Sequence, residues 1–145
     1  MKNWIKIVLI LIGVAAITAL IVYKFYINKP HKDIEKADAD FTVKTENLYK
    51  EYTSNKTHSD SLYNGKVIEI SGKIDKVETT DSLVILVAVF SQDDFGDAGI
   101  RCTMLPKYND DAKKITAGAI VKIKGLCSGF NDTDVILEKC SIVKE

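Results

Sequence analysis

The 145-residue sequence predicts a mainly β domain, a five-stranded Greek-key barrel preceded by an α-helix, carried behind an N-terminal transmembrane helix. Three observations predict it. An unbroken uncharged run, Ile7 to Tyr23, lies between Lys6 and Lys24. From Lys66 onward, apolar and polar residues alternate with the period of a β-strand. Charge is segregated as well: residues 1–32 hold Lys2, Lys6, Lys24, Lys29 and Lys32 and no acid, so residues 33–145 carry −5. The formal net charge of zero averages a basic anchor with an acidic domain. The chain divides into an anchor at 1–27, a linker at 28–40 and a domain at 41–145.

The 17 uncharged positions from Ile7 to Tyr23 span about 26 Å as a helix, slightly less than a hydrocarbon core of about 30 Å. Lys6 and Lys24 can snorkel, and Trp4, Tyr23, Phe25 and Tyr26 suit the two interfacial belts, so the membrane contact covers residues 4–26. The run is apolar around its whole circumference, which excludes an amphipathic surface helix. Ala15, Ala16 and Ala19 make only a weak cleavage site, and apolar residues continue past it. The first cysteine is Cys102, so lipidation at the end of the run is excluded. An uncleaved signal anchor in the cell membrane is expected. Lysine counts on the two sides lean towards a cytoplasmic C-terminal domain. The very short positive N-tail has the shape of an export signal, and an extracytoplasmic domain is the expectation.

Asn28 to Asp40 is polar, contains Pro30 and reads as a tether. Thr42 to Tyr63 reads as helical, with Thr42 and Thr45 as N-cap candidates and Glu46 in the first turn. Leu48, Tyr49, Tyr52, Ser59 and Leu62 share a helical face, and the tyrosines are expected to pack on the sheet. Asn64-Gly65 is a turn. In Lys66 to Val77, Ile68, Ile70, Gly72 and Ile74 share one face and Glu69, Ser71, Lys73 and Asp75 the other. Gly72 marks a bend or a close backbone approach. Leu83 to Phe90 is apolar throughout, which suits a strand covered on both faces or one with a side against the preceding helix. Gly99 to Leu105 is the third strand, and Pro106 to Ile115 a short connector. Ala119 to Phe130 and Asp134 to Val143 are the last two strands, joined by the Asn131-Asp132 turn.

Helix, three strands, connector and two strands is the order of an OB barrel. A long bent first strand fits, because it serves both halves of such a barrel. The segments ENLYKEY (Glu46–Tyr52), YNGKVIEISGKI (Tyr63–Ile74), IRCTM (Ile100–Met104), IVKIKGLCSG (Ile120–Gly129) and VILEKCSIV (Val135–Val143) carry a resemblance. With them, Phe41 to Val143 resembles the tRNA_anti-like OB-fold family, a set of small bacterial domains also described as OB-fold lipoproteins. NKPHKD (Asn28–Asp33) is similar to a membrane-anchored subset of that family. These motifs mark fold positions. Nucleic-acid binding is implied by the fold analogy alone.

Cys127 and Cys140 fall on the two strands of one hairpin and form a candidate disulfide if the domain is exported; two reduced core thiols are the alternative. Cys102 reads as a core thiol. No CxxC pair exists and the histidines are distant, so no metal site or other cofactor is expected. His31 and His58 have no nucleophile at a motif spacing, so no catalytic residue is assigned and an enzyme is not expected. For a ligand, Phe95 and Phe130 could stack and Arg101 could reach a phosphate. Glu78, Asp81, Asp93, Asp94, Asp97, Asp132 and Asp134 crowd the loops around them and oppose phosphates. SQDDFGDAG does not match an EF-hand loop. The expectation is a membrane-anchored OB-fold binding module for a protein, peptide or envelope glycan, with a single-stranded nucleic acid as the alternative. Its total charge argues against adhesion to anionic lipid.

Overall fold

The computed structural model describes residues 2–24, 33–94 and 96–144, and the chain forms two compact units, Met1–Lys32 and Asp33–Glu145. In the first, α1 (Lys2–Val22) is one continuous helix. Asn3–Val22 has a mean hydropathy of 2.9 and none of it is buried in protein, so it is long and apolar enough to cross a membrane. Phe25, Tyr26 and 28–32 of the expected tether lie outside the described residues.

Asp33–Asp40, the rest of that stretch, belongs to the second unit. Ile34 is the one large aliphatic side chain in this polar segment and it is buried. Burying such a side chain contributes about 2 kcal/mol. The Lys124 ammonium donates to the carbonyl oxygens of Glu35 (3.0 Å) and Ala37 (2.9 Å). Asp40 pairs twice with Val67: its N–H donates to the Val67 carbonyl at 2.7 Å, and its Oδ2 accepts the Val67 N–H at 2.9 Å. Backbone and side chain thus strap this segment to the domain.

Phe41–Lys44 is a strand, β1, where a helix start was expected; it pairs in parallel with β2 (Val67–Lys73). Its exposure alternates residue by residue, which is the strand period. Thr42 is therefore no N-cap, and Thr45 is the buried first residue of α2 (Thr45–Ser54). The expected single helix breaks at Asn55. Its backbone leaves the helical region (φ −154°, ψ 87°), and its side chain accepts the His58 N–H at 3.1 Å to start α3 (Lys56–Tyr63).

The expected long first strand is interrupted at Ile74–Asp75 into β2 and β3 (Lys76–Thr80). β4 (Leu83–Asp93), β5 (Gly96–Met104), a 3-10 turn (Pro106–Tyr108), α4 (Asn109–Lys113), β6 (Ile120–Phe130) and β7 (Val135–Ile142) follow. The sheet has seven strands instead of five, in the order β1-β2-β6-β7-β5-β4-β3, and does not close by hydrogen bonds. It must nevertheless curl. β2 and β3 stand five places apart, about 24 Å in a flat sheet, yet three peptide steps join them, at most about 11 Å. The junction is tied to both sides: Ile74 N–H donates to Ala119 and Asp75 N–H to Val87. Gly72 is a close approach, not the bend: a Cβ there would fall 1.9 Å from Thr45 Oγ1 at the start of α2.

The alternation in β2 holds. Ile68 and Ile70, with Ile74 beyond them, face a core with Val84, Leu86, Ile100, Ile123 and Leu137. Leu48 and Tyr52 of α2 belong to the same core. Tyr49 stacks on Phe90 with ring centroids 5.2 Å apart.

Candidate binding face

The residues with binding chemistry lie on the outer face of β3, β4, β5 and β7. Lys76, Val87, Arg101 and Ile136 stand in register across these four strands. Val87 is 1% exposed but takes no part in the core cluster. Its neighbours in the row are two long cations, whose aliphatic stems can cover it.

Both cations are occupied. Arg101 Nε donates to Asp134 Oδ2 at 2.9 Å, and its Nη1 donates to Glu78 Oε2 at 2.7 Å. Asp134 is itself buried, and its Oδ1 accepts the Gly99 N–H at 2.9 Å. Burial works against the Arg101 charge, and the two carboxylates more than offset it, leaving the guanidinium pKa raised. Lys76 is bonded to Asp97, which also accepts from Gln92 Nε2 at 2.6 Å. Two cations therefore meet three carboxylates. A phosphate arriving here would compete with acids already in hydrogen-bonded contact.

Of the residues expected to form a ligand surface, Arg101 and Phe130 do not come together. Phe130 pairs with Val135, which pairs with Ile100, so its ring lies on the core side, opposite Arg101. It packs with Tyr49 and Tyr52 at centroid distances of 6.4 and 5.7 Å, and Lys56 Nζ sits 5.9 Å above it. Its stacking surface is engaged internally. Phe95 and His31 lie outside the described residues. His58 lines an open groove of about 530 Å³ between α2 and α3, with Glu51, Leu62 and Tyr63. Tyr63 donates to Glu51 Oε2 at 2.7 Å, and burial first, with that carboxylate, pushes its phenol up to about 12.

Cys102, Cys127 and Cys140 are free buried thiols. The register corrects the Cys127–Cys140 expectation: Cys127 faces Leu137 across the β6–β7 ladder. Cys140 is three residues further on, roughly 10 Å along a strand, beyond the 4.4–6.8 Å Cα separation of a disulfide. Cys127 Sγ instead meets the Tyr52 hydroxyl at 3.4 Å. Cys140 pairs with Met104 on β5. Burial pushes both thiols up, Cys140 most strongly, so neither is a ready thiolate. Among the described residues no cluster of three His, Cys, Asp or Glu could hold a metal ion.

Sequence reasoning placed acids near Arg101 but did not pair them with it. It missed the Tyr49–Phe90 stack, although Phe90 ends an apolar run at a β-bulge, where strands re-aim a side chain.

The model of the family described as tRNA_anti-like matches residues 1–142. Among solved structures, the chain is similar to a candidate nucleic acid-binding lipoprotein from Klebsiella pneumoniae, at 20% identity and a TM-score of 0.50, covering 80% of this chain and 100% of that one. It is also similar to asparaginyl-tRNA synthetase from Pyrococcus horikoshii, at 15% identity and a TM-score of 0.41, covering 57% of this chain and 21% of the synthetase. At such identities the likeness is one of fold. No curated protein matches.

Proposed function

The chain belongs to the tRNA_anti-like family, and from that premise we propose that it is a membrane-anchored OB-fold binding module, not an enzyme, for a protein, peptide or envelope glycan. One observation carries the choice of ligand: Asp134 and Glu78 already hold the Arg101 guanidinium of the outer face. Nucleic-acid binding by an OB face draws on open positive charge and exposed aromatic rings. Here the guanidinium is clamped and Phe130 is packed against α2. The apolar helix α1 supports the anchor.

A second reading, binding of single-stranded nucleic acid, draws on the description of the Klebsiella pneumoniae neighbour. Crosslinking of the full chain in its membrane, with an Arg101→Ala, Val87→Asp variant as control, tests the first. A protein or glycan adduct lost in the variant is expected. Saturable binding of single-stranded oligonucleotides at low ionic strength, weakening steeply with salt, would favour the second reading instead. Protease treatment of intact cells or spheroplasts checks orientation; a protected domain would place it in the cytoplasm.

A further inference from the structure

β4 runs on past the strand beside it. Its pairing with β3 ends at Lys76 and Val87, while β5 accompanies it to Asp93. Beyond Val87, among the described residues, β4 has a strand on one side only. The segment past Val87 borders a groove of about 400 Å³ lined by Asp75, Lys76, Val89, Phe90, Ser91 and Gln92. That volume is in the range of small-ligand sites. Among the described residues of this unit, Phe90 is the one aromatic side chain that is exposed, at 36%. Tyr49 of α2 backs its ring in a stack, with an interplanar angle of 20°. The ring is thus fixed from behind, and it lines the groove.

The walls select the ligand, because their charges are already matched. Asp75 Oδ1 lies 2.8 Å from Lys73 Nζ, and Lys76 is bonded to Asp97. Gln92 Nε2 donates to Asp97 Oδ1, which fixes the amide. A nucleotide could stack on Phe90, but its phosphate would have to displace Asp97 from Lys76. A strand-adding peptide is opposed as well. Asp75 Oδ2 accepts the Val89 N–H at 2.8 Å and plugs the edge where a ladder would begin. The β-bulge between Val89 and Ser91 turns the rest away from regular pairing. Hydroxyl groups meet neither obstacle, since carboxylate and amide oxygens accept more than one hydrogen bond. An apolar ring face with hydroxyls around its rim is the chemistry of a sugar, and the face of an aromatic ring attracts its C–H groups. We propose that the groove from Asp75 to Gln92 binds an uncharged glycan, with a sugar ring on Phe90 and hydroxyls bonded to Asp75, Ser91 and Gln92. Lys76 belongs both to this groove and to the row with Val87 and Arg101, so the groove continues the outer face. The inference rests on the binding-module reading and names the glycan among its ligand classes.

The test uses the full chain in lipid nanodiscs, which bring no sugar-headed detergent. Saturation-transfer difference NMR is run with cellotetraose, chitotetraose and maltotetraose, and with tetragalacturonate as the anionic comparison. At least one uncharged tetrasaccharide is expected to bind saturably, with a Kd in the millimolar range or tighter. Phe90→Ala should weaken that binding about tenfold and Phe90→Trp should retain it. Gln92→Ala, at an exposed position, should weaken it several-fold without affecting the fold. Salt should change it little, because no ion pair forms. No saturable binding of any uncharged tetrasaccharide, binding that survives both Phe90→Ala and Gln92→Ala, or a preference for tetragalacturonate overturns the glycan site. A protein adduct lost in the Arg101→Ala, Val87→Asp variant would then leave the module reading standing. Absence of both the adduct and glycan binding overturns the two together.

Discussion

Arg101 and Asp134 are joined at 2.9 Å from Nε to Oδ2, across a sequence separation of 33 residues. The pair exists because parallel pairing of β5 with β7 brings the residue preceding β7 beside the middle of β5. The same carboxylate holds Gly99 N–H, so it orients both the backbone and the guanidinium. Asp134→Ala should cost about 1–3 kcal/mol, since Arg101 and the Gly99 amide lose a partner together. Asp134→Asn with Glu78→Gln keeps the shapes and removes two negative charges. Fluorescence anisotropy at low salt should then show stronger oligonucleotide binding than in the wild type. Unchanged binding would mean that the clamp is not what excludes phosphates.

A Cβ at Gly125 would fall 2.5 Å from Cys140 Sγ and 3.3 Å from the Glu138 carbonyl. Gly125→Ala should therefore destabilise the domain by about 1–3 kcal/mol through overpacking. Adding Cys140→Ala removes the sulfur and should recover part of that loss. Urea denaturation of both variants, compared with Cys140→Ala alone, measures the coupling.

The three thiols should be free in the native protein, with no Cys127–Cys140 bridge. Their burial should make alkylation at pH 8 slow until the protein is unfolded. Trypsin cuts after Arg101, Lys124 and Lys139, which puts each cysteine in its own peptide. Non-reducing mass spectrometry then reads all three directly.

A fragment beginning at residue 41 should be less stable than one beginning at 33. It lacks Ile34, the Asp40–Val67 pairing and the carbonyls that Lys124 holds. Ile34→Ala in the full chain should cost about 2–4 kcal/mol. Hydrogen exchange at 120–126 should quicken in both cases.

The strap should also loosen in acid. The Lys107 ammonium, and then the Tyr108 hydroxyl, hold the Glu35 carboxyl below its ordinary value of 4.5. A folded-state pKa below the unfolded one contributes stability that is present above about pH 4.5 and lost as pH falls through the lower, folded value. Exchange at 33–40 should rise over that acidic range and stay flat towards neutrality. Glu35→Gln should remove the acid-dependent part of the change.

The sequence by itself determined what depends on near neighbours. Apolar content with flanking lysines marks α1, and the alternation from Ile68 to Ser71 marks the core face of β2. The Asn131 turn and the connector after Pro106 were legible for the same reason, since a turn or cap is decided within a few residues. Tertiary structure decided what depends on pairing. Phe41–Lys44 is a strand because the β2 edge is available to it, and helix propensity over four residues is too weak to compete. Asp33–Asp40 reads as a linker until Val67, Lys107 and Lys124 are brought beneath it. Cys127 and Cys140 are separated by the β6–β7 register, and Arg101 and Phe130 by the two faces of the sheet. A one-residue change in register exchanges those faces, and register is set by strands distant in sequence. The acidic total of the domain could be counted from composition, but where its charge is cancelled depended on which strands became neighbours.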